Sequence, residues 1–128
     1  MEGVRIIELE KVKDDERGTI HQFSNREVSD LLLVKRNKGS VSAAHYHVGK
    51  SKEKDPETVV LLEGKAKIIF KNVKTGEHEE GSWEKPVKFL IDPFIYHEIH
   101  ALTDVILLDM NSIGDDLEDT IKGDKHVK

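Results

Sequence analysis

The chain is predicted to be all-β, a small antiparallel sandwich or barrel, on three observations. Short apolar runs recur at regular spacing, turn signals separate them, and the runs alternate or are rich in β-branched residues. Its 128 residues suit a single domain, 1–128, with little room for a second.

Val4 to Val12 alternates apolar and polar positions, as a half-buried strand does. Asp14, Asp15 and Gly18 bracket a turn, after which Thr19 to Phe23 is again extended. Leu31 to Val34 is an apolar run ended by the charged turn Lys35–Gly39, and Val41 to Val48 is the next strand. Gly49 to Pro56 is the longest polar interruption and is expected to be a loop. Val59 to Leu62 and Ala66 to Val73 flank the tight-turn pair Glu63–Gly64. Lys74 to Glu77 is a further turn, with one return strand before Lys85. Val87 to Ile91, Ile95 to His100 and Val105 to Met110 bring the expected total to nine or ten strands. Only Asp115 to Ile121 reads as a short C-terminal helix, capped by Ser112 or Asp115 and ended by Gly123, with Lys122 to Lys128 a polar tail.

Composition excludes several kinds of chemistry. With no cysteine, disulfides, iron–sulfur clusters, thiolate zinc sites and cysteine nucleophiles are ruled out. The net charge is −5 with both signs mixed along the chain, so there is no basic stripe for nucleic acid. The first ten residues carry Glu2, Arg5, Glu8 and Glu10 and lack an apolar signal core. No run approaches the roughly 18–20 apolar residues of a membrane span. A cytoplasmic protein with a small-molecule partner, and neither nucleic acid nor membrane, is the expectation.

The histidines are the informative residues. His45 and His47 are two apart on a strand and share a face, with Tyr46 opposite and Ala43 and Val41 expected beside them. Such a pair can hold one divalent metal through neutral ring nitrogens. It can equally line a pocket as hydrogen bonders or proton carriers. His100, three residues after His97, points to the opposite face of an ideal strand, His21 could face inward, and His78 and His126 lie in polar segments.

The wider spacing strengthens the signal. Five residues separate Gly39 from His45-x-His47, and six separate Glu57 from Gly64. This resembles the first signature of the cupin superfamily, except that nine residues separate His47 from Glu57, where that family usually has about three or four. The lysine-rich loop supplies the excess, and a loop can lengthen at small entropic cost. In the segment resembling the second signature, Asp92 replaces proline, Phe94 replaces glycine and Ala101 replaces asparagine, while His97 is retained. The resemblance covers Gly39 to Met110. It implies a jelly-roll barrel and a metal site of His45, His47, Glu57 and His97, for a divalent ion such as Zn, Mn, Fe or Ni.

Two narrower resemblances suggest a reaction. Asp15-Glu16-Arg17-Gly18-Thr19-Ile20 is similar to the opening of RmlC-type dTDP-sugar 3,5-epimerases, and His45-Tyr46 falls where those enzymes carry a catalytic histidine. Ser42 and Ala43 stand where that family has Arg-Gly. His45-Tyr46-His47 with Lys50, then Glu57 and Gly64-Lys65-Ala66-Lys67-Ile68-Ile69-Phe70, resembles the C-terminal cupin domain of capsular polysaccharide biosynthesis reductase-epimerases. Asp119-Thr120 matches the end of that domain. Sugar-nucleotide 3,4-ketoisomerases share the barrel and the paired-histidine strand.

These families imply proton transfer next to a sugar ketone. His45 is then a candidate base, His47 or His97 its donating partner, and Tyr96 or Tyr46 a candidate acid. Arg17, Lys35, Arg36 and Lys50 are candidates for a diphosphate. No Gly-x-Gly-x-x-Gly turn exists for a nicotinamide step. The competing expectations are a metal-dependent dioxygenase or phosphosugar isomerase, and a non-catalytic small-ligand-binding cupin. Resemblance further implies a homodimer, with the edge strand Val4–Val12 available for sharing.

Overall fold

A computed structural model describes residues 1–23, 31–50, 55–84, 86–110 and 119–123. Among them run twelve strands: β1 (Val4–Glu8), β2 (Glu10–Asp15), β3 (Gly18–Gln22), β4 (Leu32–Arg36), β5 (Val41–His47), β6 (Glu57–Glu63), β7 (Ala66–Asn72), β8 (His78–Trp83), β9 (Val87–Ile91), β10 (Ile95–Ala101), β11 (Val105–Asp109) and β12 (Thr120–Lys122). They form one five-stranded sheet of order β1-β9-β6-β11-β4, a second of order β12-β5-β10-β7-β8, and the separate hairpin β2–β3. All pairings are antiparallel, which gives an all-β jelly roll of two open sheets rather than a closed barrel.

Alternation builds the core. Ala66, Ile68 and Phe70 of β7, Val87, Phe89 and Ile91 of β9, and Ile95, Ile99 and Ala101 of β10 are buried, with half-buried residues between them. Val59 and Leu61 of β6 and Val105 and Leu107 of β11 lie with β9 in one sheet and face β7 and β10 of the other. Phe89 contacts Trp83 and Phe70 with ring centroids 5.2 and 6.2 Å apart. Each fully buried aliphatic or aromatic side chain contributes about 1.5–3 kcal/mol, so these rows hold the sheets together. Glu57 continues the inward row of Val59 and Leu61, and His97 interrupts the row of Ile95 and Ile99. The alternation that makes the core therefore also carries two polar side chains into it.

The run Val4–Val12 is two strands, because the chain changes partner at Leu9. β1 pairs with β9, while β2 pairs with β3, and the Leu9 N–H donates to the Pro86 carbonyl at 3.2 Å between them. At the other end, part of the expected C-terminal helix is corrected. Asp119 is a turn residue and Thr120–Lys122 is a strand paired with β5, whose backbone groups draw this segment into the sheet. The rest of that helix, with Ser112 and Asp115, lies outside the described residues. Among the described residues no helix is long and apolar enough to cross a membrane.

Gly64, the glycine that ends the first signature, shows why that position is restricted. It has φ +92°, and a Cβ there would run into the Asp104 carbonyl oxygen. Gly76 also has a positive φ, +81°, but a Cβ there would meet nothing within 4 Å. Gly64→Ala should cost about 3 kcal/mol or more, and Gly76→Ala about 1 kcal/mol, since only the first adds a backbone clash to the left-handed penalty. Urea unfolding of the two variants checks this.

Candidate functional site

The site begins with an irregularity in β5. His45 pairs with His97, yet Ala43 pairs with the next residue, Glu98, so Ala44 is an extra residue on this strand. Ala43 and Ala44 have φ +65° and +55°, a left-handed pair that small side chains tolerate best. One extra residue shifts the facing of the residues before it, although Ala43 still packs against the core. Val41 therefore stands opposite His100 and is exposed, rather than sharing the inward face of the histidines. This corrects the expectation from simple alternation. The bulge lets His45 and His47 face inward while the strand's first residues follow the opposite register.

Glu57 closes the group from the other sheet. Its two oxygens lie 2.8 Å from His47 Nε2 and 2.8 Å from His97 Nε2. His47, Glu57 and His97 are 3%, 2% and 1% exposed, so these contacts are shielded from solvent. The His97 Nδ1–H donates to the Ile95 carbonyl at 3.0 Å, which leaves the short Nε2 contact in need of a second proton. Burial alone would push Glu57 up, but the charge of His97 and the hydrogen bonds from both histidines hold it well below the usual carboxylate range. Burial would likewise lower His97, but the Glu57 charge and hydrogen bond, aided by the Ile95 carbonyl, raise it. The pair is thus an imidazolium beside a carboxylate. His47 completes the network: with Nε2–H donated to Glu57, its Nδ1 accepts from the Thr120 hydroxyl 3.1 Å away.

His45 is different. It is the least buried of the four, and its ring centroid lies 4.8 Å from those of both His47 and His97. Its Nδ1 is buried with no hydrogen-bond partner among the described residues. Burial, followed by the charge of His97, lowers it from 6.5 to about 3. This imidazole is unprotonated at neutral pH, as a metal ligand must be.

The donor atoms of His45, His47, Glu57 and His97 all lie within 4.8 Å of one another. Three imidazoles and one carboxylate suit a first-row divalent ion. The backs of two rings are already fixed, His97 by the Ile95 carbonyl and His47 by Thr120, so both present Nε2 to the centre. The four residues expected from sequence are brought together, and they form a group able to hold a metal.

Other candidates are placed elsewhere. Tyr96 points to the opposite face of β10, where its hydroxyl donates to Glu98 Oε1 at 2.9 Å. Glu98 also bonds His100, 2.7 Å away, on that same outer face. The structure does not bring Tyr96 to the group, because alternation turns it away from its neighbour His97. Tyr46 is buried opposite His47, its ring 6.3 Å from Phe94. His21 lies in β3 and lines a groove with Leu9, Lys11 and Pro86, and His78 is exposed on β8. Arg17 pairs with Asp15, Arg36 bonds Ser42, and Lys35 and Lys50 are exposed. His126 lies outside the described residues. Asp119 and Thr120 stand beside His47 Nδ1; in sequence they match only a domain end, and their pairing across β5 has no local signal.

The position of Phe94 explains a departure from the second signature. Phe94 has φ +67°, the conformation for which glycine is the usual residue. Its N–H donates to the His47 carbonyl at 2.7 Å, and Lys74 Nζ lies 3.8 Å above its ring. These contacts offset the strain.

The sign of the pH dependence follows from His45. The unfolded chain takes up a proton near 6.5, whereas native His45 does so only near 3, so acid favours unfolding across that window. His97 acts above it: its raised native value keeps its contribution complete below 6.5 and removes it as pH rises through that value. Glu57, held low, contributes stability that is complete above its unfolded value of 4.5 and is lost as pH falls below it. Between pH 6.5 and 5, chelator-treated His45→Gln should lose stability less steeply than wild type, by about 1 kcal/mol per pH unit. Denaturant titrations at several pH values measure this.

No family model and no curated protein matches the chain. Among solved structures it is similar to QdtA, a sugar 3,4-ketoisomerase from Thermoanaerobacterium thermosaccharolyticum in complex with TDP, with TM-score 0.75 and 19% identity over 96% of this chain and 90% of that one. It is similar to a 3,4-ketoisomerase from Helicobacter canadensis, with TM-score 0.73 and 18% identity over 93% and 90% of the two chains. It is also similar to dTDP-4-dehydrorhamnose 3,5-epimerase from Sulfolobus tokodaii, with TM-score 0.71 and 18% identity over 94% and 76%. At these identities the likeness establishes a shared cupin-like jelly-roll fold.

Proposed function

We propose that this chain is a sugar-nucleotide isomerase or epimerase that moves a proton on the carbon next to a keto-sugar carbonyl, with a divalent metal at the four-residue site. The observation that carries the reading is the convergence of His45, His47, Glu57 and His97 within 4.8 Å, on the fold shared with 3,4-ketoisomerases and 3,5-epimerases. A polysaccharide pathway is the setting suggested by the resemblance to reductase-epimerase C-terminal domains. The fold leaves the substrate's ketone to be made by another enzyme, since the sequence has no dinucleotide turn.

A metal held by these residues would polarise the ketone oxygen and stabilise negative charge on it, while the α-proton passes to water on the open side and is returned from it to carbon. The protein's own residues do the rest. His45, the least buried of the four, is the one that meets substrate from the open side. Glu57 keeps a negative charge in the core and holds His47 and His97 toward it. The apolar rows beneath the group exclude water from it.

A second reading has one observation in its favour. Glu57, His47 and His97 already satisfy one another at 2.8 Å, so a metal-free acid–base site is self-consistent, with unprotonated His45 as the base that takes the α-proton and the His97 imidazolium as the acid. Metal analysis of untagged protein, with and without His45→Ala plus His47→Ala, separates the readings. One ion per chain, lost in the double variant, supports the metal site. Metal-free protein that exchanges a sugar α-proton with deuterium supports the acid–base site. Neither metal nor exchange would leave a small-ligand-binding module and sink the enzyme reading.

The same proposal includes a homodimer in the cytoplasm. An isolated two-stranded hairpin is marginal in water, yet β2–β3 stands as a separate sheet with Val12 and Ile20 exposed, and Ile6 and Ile7 are exposed on the edge strand β1. A second copy covering these residues accounts for them. Sedimentation should give a dimer that Val12→Asp plus Ile20→Asp converts to monomer; a monomeric wild type would reject this part.

A further inference from the structure

The described tail segment Asp119–Lys122 supplies no donor atom to the four-residue group, yet it lies against the histidine strand. Thr120 pairs with His47 and Lys122 with His45 across the β5–β12 ladder. The Asp119 carbonyl accepts from the Val48 N–H at 3.0 Å, and its Oδ1 accepts from the Lys50 N–H. The Gly123 N–H donates to the Ala44 carbonyl at 2.9 Å, at the bulge itself. The segment thus grips β5 on both sides of the histidine pair.

Two polar atoms are aimed at the back of His47. Thr120 Oγ1 is 3.1 Å from Nδ1, and Asp119 Oδ2 is 3.8 Å from the same atom. Asp119 is 1% exposed, and Oδ2 has no hydrogen-bond partner among the described residues. An unpartnered carboxylate oxygen in a protein interior is costly, and a place where one persists calls for a reason. The reason lies in the two tautomers of the ring beside it.

We infer that Asp119 and Thr120 are positioning residues for His47: they hold the ring by its Nδ1 edge so that Nε2 faces Glu57, and they receive the Nδ1 proton when Nε2 is occupied. With Nε2–H donated to Glu57, Nδ1 accepts the Thr120 hydroxyl. When Nε2 instead binds a metal, a neutral ring must carry its proton on Nδ1. The Thr120 hydroxyl can reverse its role, and Asp119 Oδ2 supplies a second acceptor. The single proton of the neutral imidazole is conserved throughout, and only its nitrogen changes. This part of the inference rests on the metal reading; the holding of the ring does not.

The test uses the full chain with Thr120→Val, Thr120→Ser and Asp119→Asn, all close in size to the native residues. Nitrogen-15 labelling of histidine and long-range proton–nitrogen correlation at pH 8, in chelated protein, read the two ring nitrogens of His47. Thr120→Val should move the Nδ1 resonance downfield, as loss of a donated hydrogen bond does, and Thr120→Ser should restore it. Cobalt(II) titration, followed by its visible bands, should show affinity about 10–100-fold weaker in Thr120→Val and Asp119→Asn, with Thr120→Ser close to wild type. Valine and serine variants alike in both measurements, with His47 nitrogens unchanged, would reduce the segment to a tail anchor and overturn the inference. Wild type that binds no cobalt would remove the metal reading and the proton-receiving role with it. The nitrogen shifts would then decide the holding role alone.

Discussion

One buried carboxylate joins the two sheets where the chemistry is. Glu57 leaves β6 in one sheet and is held by His47 and His97 from the other, at 2.8 Å on each side. Taking a charge out of water costs several kcal/mol, and only close partners repay it. The arrangement meets that condition by giving each oxygen its own imidazole and placing a proton on one of them. Removing any member would leave a buried charge or an unpartnered ring, which is far worse than losing a surface ion pair. The inward rows of β6 and β10 are therefore constrained twice, by apolar packing along most of their length and by charge at Glu57 and His97.

Among the described residues, the non-glycine residues with positive φ all lie where this network is made. Ala43 and Ala44 take left-handed angles in the bulge that faces Glu98, and Phe94 does the same on the turn whose N–H bonds His47. Three non-glycine residues in that region of φ cost on the order of 1 kcal/mol or more each. They lie on the segments that aim His45, His47 and His97. The regular ladders of β7, β9 and β10 supply the stability against which such strain can be held, and the β12 segment adds bonds to Ala44, Val48 and Lys50 on the strained strand.

The fold class and the four-residue site were legible because both obey local rules. Period-two alternation locates strands, and the spacing from Gly39 to Gly64 locates three of the four side chains without any tertiary information. The long gap between His47 and Glu57 was readable as a loop, since β6 begins at Glu57 and β5 ends at His47. What failed was what depends on distant partners. The facing of Val41 was misread because a bulge leaves no mark in hydrophobic periodicity beyond two adjacent alanines. The tail residues Asp119 to Ile121 read as continuing a helix from Asp115, although β-branched Thr120 and Ile121 favour the strand they form against β5. The role of Asp119 was invisible for the same reason, because 72 positions separate it from His47.

The protonation pattern ties these features together. In its hydrogen-bonded form the site neutralises its own carboxylate by raising His97 and lowering Glu57, which in turn keeps a positive charge beside His45. That charge, added to burial, is why His45 stays unprotonated with an unpartnered nitrogen. A cation at the centre would take over the role of the His97 proton, and every donor atom would then present a lone pair to it. His45 is already in that state, His47 reaches it by moving one proton to its Thr120 edge, and His97 reaches it by releasing one while keeping its bond to the Ile95 carbonyl. The hydrogen-bonded form is thus two proton rearrangements from a four-donor site, with the acceptors for both rear N–H groups already built.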